Sequence, residues 1–99
     1  MNLVFSAHAR HDLVEIWLTI AQNDPGVADR ILAELEAKCS LLRRHPYLGR
    51  RRNELLPGLR SFPRRPFVIF YRVPDTSTVE IIPVLDGRRD LPPLFKQQQ

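Results

Sequence analysis

The sequence predicts an α+β domain in which an antiparallel helical hairpin covers one face of a mainly antiparallel sheet of about four strands. Three observations carry that prediction. The first half holds two long stretches with apolar residues at helical spacing, separated only by Asn23-Asp24-Pro25. The second half holds two β-branched and aromatic runs, residues 67–73 and 79–85, separated by the turn formers Pro74-Asp75-Thr76-Ser77. A short apolar run at residues 3–5 precedes the first helix. The order is therefore strand, helix, helix and then three strands, with helices and strands segregated along the chain.

Each element has its own local reasons. Ser6 stands where an N-cap is needed, and Ala9, Leu13, Ile16, Trp17, Ile20 and Ala21 then form one apolar stripe, which places Trp17 as a core anchor. Asp24 caps the second helix and Pro25 occupies its first position, where a missing N–H costs nothing. Ala28, Ile31, Leu32, Leu35, Cys39 and Leu42 share the inward face of that helix, and Glu34 and Lys38 are spaced to pair outside it. A link this short turns the two helices back on each other. His45 to Glu54 reads as loop, and residues 58–62 as a weakly alternating strand that Pro63 and Pro66 end. Residues 67–73 read as a strand buried on both faces or nearly so, paired in a hairpin with residues 79–85. Residues 91–95 are expected to pack back on the domain. One domain spans residues 1–96, with 97–99 as a frayed tail.

Composition narrows the classes of function. The single Cys39 rules out a disulfide framework, and no leader or membrane-length apolar run is visible, so the chain reads as cytoplasmic with no membrane partner. The net charge of +4 is unevenly spread. Residues 1–42 carry three basic and six acidic side chains, whereas residues 43–99 carry twelve and five. A basic second half suits a polyanion or an acidic partner. Thirteen of the fifteen basic residues are Arg, the better fork for phosphate and carboxylate alike.

Metal, nucleophile and cofactor chemistry find little support. His8 and His11 lack further ligands, Cys39 lies in a core stripe without a base, and no glycine-rich phosphate loop occurs, so neither metal nor cofactor is expected. Glu15, Glu34 and Glu54 have no spacing that selects a pair. Arginines remain. Solubility accounts for Arg50-Arg51-Arg52 as well as binding does. Arg60, Arg72 and Arg88-Arg89 lie at strand ends that the fold is expected to bring together, where they would bind RNA backbone, stabilise phosphoryl charge or receive an acidic segment. Arg64 and Arg65 extend the same margin.

Several phrases resemble the ParE/RelE superfamily of toxins from bacterial type II toxin–antitoxin modules. They are Ala9-x-x-Asp12-Leu13-x-x-Ile16-Trp17, Asn23-Asp24-Pro25 with Ala28, His45-Pro46-x-x-Gly49-Arg50, and Glu54-Leu55-x-Pro57-Gly58-Leu59-Arg60-Ser61. Phe67-Val68-Ile69-Phe70-Tyr71-Arg72 and Val84-Leu85-x-Gly87-Arg88-Arg89-Asp90-Leu91 complete the series, which covers nearly the whole chain. The resemblance implies a small toxin neutralised by a cognate antitoxin, with operator DNA bound only through that antitoxin. It implies one of two activities. ParE-like members poison DNA gyrase by binding; RelE-like members cleave mRNA on the ribosome with basic residues on the sheet and a His or Tyr near the C-terminus.

This chain has Asp86 where many relatives have His, and no His or Tyr follows it. That removes a general acid/base near neutral pH. Tyr71 is expected to be packed, and Pro57-Gly58-Leu59-Arg60-Ser61 leans towards the ParE branch. The reading is a gyrase-binding toxin, with enzymatic activity left open. Arg60, Arg64, Arg65, Arg72, Arg88 and Arg89 are the expected target- or antitoxin-binding residues. Under the alternative reading of an mRNA endoribonuclease, Arg60, Arg72 and Arg88 carry the catalysis. Pro83 departs from the usual polar or basic residue, removes a strand N–H, and is read as disturbing an edge that an antitoxin would pair with.

Overall fold

The computed structural model describes residues 1–88. They fold as β1 (Asn2–Phe5), α1 (Ala7–Ala21), α2 (Pro25–Arg44), β2 (Arg50–Arg51), β3 (Arg60–Arg64), β4 (Phe67–Asp75) and β5 (Thr78–Asp86). Arg89, the expected return of residues 91–95 and the domain boundary at residue 96 lie outside the described residues.

Both helices begin as their sequences dictate. The Ser6 hydroxyl accepts the Ala9 N–H at 3.0 Å and donates to the Ile82 carbonyl at 2.5 Å, so the cap of α1 is also a tie to β5. Asp24 accepts the Val27 N–H at 3.1 Å, with Pro25 at the first helical position. Arg43 and Arg44 occupy the last turn of α2, where positive charge complements the helix dipole.

The sheet has the order β1-β5-β4-β3-β2, with β1 parallel to β5 and the other pairs antiparallel. It therefore holds five strands rather than about four. The additional one is β2, whose two residues pair with Ser61 and Arg60; a strand of two arginines has no periodicity to read. β3 spans residues 60–64 instead of 58–62 and runs through Pro63. β2 reaches only Arg60 and Ser61, so Pro63 lies on a free edge, where a strand proline is tolerated.

Pro83 is not at an edge. β5 lies between β1 and β4, and its register with β4 shifts between Val84, opposite Ile69, and Ile81, opposite Tyr71. Three steps on β5 face two on β4, and Pro83 falls within this bulge with its ring fully buried. The next N–H along, that of Val84, is taken by Asp12 Oδ2 of α1 at 3.0 Å. A proline at a bulge disturbs no regular ladder.

Both faces of the β4–β5 hairpin are covered, which is why its sequence reads as a continuous apolar run. On the helix side Leu35, Cys39 and Leu42 of α2 and Ala9 of α1 pack with Ile69, Tyr71 and Ile81. On the other side Leu55 and Leu56, from the segment before β3, close over Phe70, Ile82 and Leu85. Trp17 is not a core anchor. It is half-buried between the helices, with its indole N–H donating to Asp29 Oδ1 at 2.8 Å. α1 buries Ala9 fully, and Trp17 lies at the margin of the stripe that faces α2. Glu34 does not pair with Lys38. β3 runs alongside α2 and offers Glu34 the Arg64 guanidinium, while the Lys38 ammonium lies 5.3 Å from the Phe62 ring centroid.

Candidate functional site

The strand register decides where the expected arginines go. Arg60 is opposite Tyr71, near the end of β4 that carries Arg72. Arg64 is opposite Phe67, which in turn faces Asp86, so Arg64, Arg65 and Arg88 gather at the other end of the sheet. The four residue steps between Phe67 and Tyr71 amount to about 13 Å of strand. The two ends also differ by face. Directly opposed residues share a face, so Arg60 and Arg64 lie on the helix side with Tyr71 and Phe67, while Arg72 alternates to the other side. Arg60, Arg72 and Arg88 therefore do not converge.

Four of the five described candidates are held within the molecule. The Arg60 guanidinium donates to the carbonyls of Gly49 at 2.9 Å and Tyr47 at 3.4 Å and lies 5.0 Å from the Tyr47 ring centroid. The Arg64 Nε donates to Glu34 Oε2 at 2.5 Å, and another guanidinium nitrogen shares that oxygen. Arg72 donates to its cross-strand partner Glu80 at 2.5 Å. Arg88 forks onto Asp86, with Nε–Oδ1 at 2.9 Å and Nη2–Oδ2 at 2.6 Å. Hydrogen bonding to Asp86 raises the Arg88 pKa further above its ordinary value. Arg65 is exposed and forms no ion pair among the described residues.

Asp86, at the end of β5 rather than after it, thus carries an internal ion pair. Tyr71, as expected, is fully buried, and its hydroxyl donates to the Pro46 carbonyl at 2.7 Å and accepts the Gly49 N–H at 2.8 Å. Burial raises the phenol pKa, against the opposing hydrogen bond from Gly49 and the charge of Arg60. Cys39 is buried in the core, and desolvation first, then the negative charge of Glu36, pushes its thiol up to about 12. That thiol is not a nucleophile near neutral pH. His8 and His11 are exposed, and no group of three or more His, Cys, Asp or Glu among the described residues is placed to hold a metal.

Two surfaces were not singled out by the sequence. On the hairpin, Val14 and Leu18 are exposed beside Leu13, Trp17 and Leu32, which together line an apolar groove of about 250 Å³. They fall between the inward stripe and the polar face, so helical spacing alone leaves them unassigned. At the end of α2, the 45–49 loop presents Tyr47 and Leu48 to solvent, flanked by Arg43, Arg44, Arg50 and Arg51. The sequence does carry a mark of this corner: no acidic residue occurs from Ala37 to Asn53.

The model of the ParE toxin of type II toxin–antitoxin systems, parDE, matches residues 3–91. The chain belongs to the ParE toxin family. It is 36% identical over 81 residues to toxin ParE3 of Caulobacter vibrioides, covering 81% of this chain and 80% of that protein. Toxin ParE1 of Mycobacterium tuberculosis is 30% identical over 89 residues, covering 89% of this chain and 91% of its own. Among solved structures, the toxin–antitoxin complex RelBE2 from M. tuberculosis contains a chain that aligns with TM-score 0.62 and 31% identity over 84% of this chain and 93% of that one. A chain of the chromosomal ParDE system from P. aeruginosa aligns with TM-score 0.71 over 85% of this chain and 92% of its own; at 23% identity this is a likeness of fold. The family accounts for two helices on a mostly antiparallel five-stranded sheet.

Proposed function

We propose that this ParE-family toxin acts in the cytoplasm by binding DNA gyrase, and that a cognate antitoxin neutralises it. The observation that carries the binding reading is the dispersal of the arginines. A phosphate cradle for strand cleavage needs several unpaired cations converging on one point. Here Arg60, Arg72 and Arg88 occupy two ends and two faces of the sheet, and each is already engaged by a carboxylate or by carbonyls. Asp86, at the position where many relatives carry a His, holds Arg88.

The antitoxin reading is supported by the hairpin groove. Exposed Val14 and Leu18 beside Trp17 offer an apolar track for an amphipathic segment, whose acidic residues would reach the sheet margin at Arg64, Arg65 and Arg88. Operator DNA would be bound through that antitoxin. The relatives from the P. aeruginosa ParDE system and the RelBE2 complex come from toxin–antitoxin pairs, which fits this arrangement.

A supercoiling assay with purified gyrase tests the proposal, and inhibition is expected at stoichiometric toxin. Unaltered supercoiling together with cleavage of mRNA on programmed ribosomes would replace it with the endoribonuclease reading. The 31% identity to a chain of a RelBE-named complex is what favours that second reading. For the antitoxin, Leu18→Asp is expected to weaken co-purification with the product of a neighbouring small reading frame by at least tenfold. Undiminished co-purification moves the antitoxin off the groove.

A further inference from the structure

We infer that the corner formed by the end of α2, the 45–49 loop and β2 is a protein-docking surface whose partner is an acidic protein face with an apolar recess. This rests on the toxin reading above, and places the contact with the toxin's target at a surface distinct from the hairpin groove.

Charge comes first. From Ala37 to Asn53 the chain holds Lys38, five arginines and no acidic residue. Arg52 of that set pairs with Glu54 at 2.7 Å, but Arg43, Arg44, Arg50 and Arg51 are exposed and form no ion pair among the described residues. Arg60, Arg64, Arg72 and Arg88 are neutralised or tethered elsewhere in the fold, so unpaired positive charge is concentrated here.

The loop between these arginines is also held in shape. The Tyr71 hydroxyl grips its two ends, through the Pro46 carbonyl and the Gly49 N–H. The Leu48 N–H donates to the His45 carbonyl at 3.2 Å, closing a turn. Arg60 holds the Tyr47 and Gly49 carbonyls and stacks on the Tyr47 ring, and Tyr47, Arg51 and Arg60 line one cleft of about 270 Å³. The result is a rigid platform that presents Tyr47 at 66% exposure and Leu48 at 51%. A preorganised loop loses little entropy on binding.

Composition selects the partner. Tyr and Arg dominate the residues whose loss is felt most at protein interfaces. Arg forks onto carboxylates as well as phosphates, so the arginines alone do not choose. Leu48 does. A nucleic acid strand would use the arginines and stack on Tyr47 but has no recess for an aliphatic side chain, whereas a protein face has. The corner is also remote from the hairpin groove, since Arg43 lies eleven residues beyond Leu32 along α2, about 16 Å.

The test uses the full chain, expressed without antitoxin and also purified, as wild type, Leu48→Ser, Arg43→Glu/Arg44→Glu and, as a control on an exposed arginine elsewhere on α2, Arg30→Ser. All substituted side chains are exposed, and thermal melting confirms that each variant folds. Leu48→Ser and the double arginine variant are expected to lose growth arrest and to inhibit gyrase supercoiling at least tenfold less, with Arg30→Ser unchanged. Lost arrest in both corner variants, where wild type arrests growth but leaves supercoiling untouched, supports the surface while refuting gyrase as target. Full activity of both corner variants overturns the inference and leaves the gyrase reading standing. An active Leu48→Ser beside an inactive arginine variant, with salt-sensitive binding of a single-stranded RNA oligonucleotide by wild type, overturns it in favour of a nucleic acid. Equal loss in Arg30→Ser overturns it as unspecific, and a wild type that arrests nothing overturns both readings.

Discussion

Tyr71→Phe removes one oxygen from a side chain with no solvent exposure, and leaves the ring where it was. That oxygen makes two hydrogen bonds, to the Pro46 carbonyl at 2.7 Å and from the buried Gly49 N–H at 2.8 Å. Both partners belong to a loop that has no helix or sheet ladder to fall back on. Loss of the bonds plus the cost of leaving the Gly49 N–H unsatisfied comes to about 2–3 kcal/mol. For a domain of this size that lowers the melting temperature by roughly 10–20 °C. Thermal and urea unfolding followed by circular dichroism measures it, with the urea m-value unchanged.

The phenol pKa, raised by burial, adds a second signature. Above about pH 10 the unfolded chain releases this proton while the folded chain keeps it, so wild type loses stability as pH rises. The Phe variant has no such proton to lose, and the gap between the two proteins narrows in alkali. A melting temperature within 3 °C of wild type, or a gap that stays constant above pH 10, would refute the clasp. Gly49→Ala attacks the same clasp from the other side. Its Cβ would stand 2.5 Å from the Tyr71 hydroxyl, 2.6 Å from Cε1 and 2.9 Å from the Ser61 carbonyl oxygen. Deleting the hydroxyl leaves the last two contacts, so Gly49→Ala is expected to remain destabilising in the Tyr71→Phe background.

Three further predictions concern the scaffold. The Cys39 thiol, pushed up from 9.0 to about 12 by burial, stays protonated in the folded chain where the unfolded chain ionises. Stability therefore falls from pH 9 to about pH 12, by about 2–3 kcal/mol at pH 11, and Cys39→Ala flattens this slope in urea titrations; an unchanged slope refutes the assignment. Asp12→Ala strips the acceptor from the Val84 N–H at the β5 bulge and is expected to cost about 1.5–3 kcal/mol, with Asp12→Asn recovering part of it. Equal losses in the two variants exclude the hydrogen bond as the cause. Glu34 and Arg64, with side chains 42% and 21% exposed, should show a coupling of about 1 kcal/mol in a double-mutant cycle that shrinks in high salt. Additive losses refute the pair.

What the sequence discloses here follows the range of the interactions involved. Ser6, Asp24 and Pro25 act within three residues of themselves, and each stands where its local chemistry places it. The hydrophobic runs of β4 and β5 are legible because burial on both faces leaves only Arg72 and Glu80 polar within them. β2 escapes because its two arginines are strand only through Ser61 and Arg60, nine or more residues away. Pro83 escapes for a related reason. A missing N–H is visible in sequence, but whether it falls at an edge or in a bulge is fixed by how β5 is set against β4. Trp17 and the Glu34–Lys38 spacing mislead because one helix alone does not reveal that Asp29 and Arg64 are the better partners.

The same logic governs the arginines, and it changes which of them matter. Proximity to a strand end in sequence does not say which end, and a strand of five residues already separates Arg60 from Arg64 and Arg88. Nor does a cation count as free until its neighbours are known. The structure gives Glu34, Glu80 and Asp86 to Arg64, Arg72 and Arg88, so much of the basic sheet margin is balanced internally. Arg43, Arg44, Arg50 and Arg51 are exposed, and the fold does not bring them into an ion pair among the described residues, the nearby Glu54 being taken by Arg52. Charge that is neither local nor tertiary in its pairing is left for a partner, and here it surrounds the Tyr47 and Leu48 side chains that the Tyr71 clasp holds out to solvent.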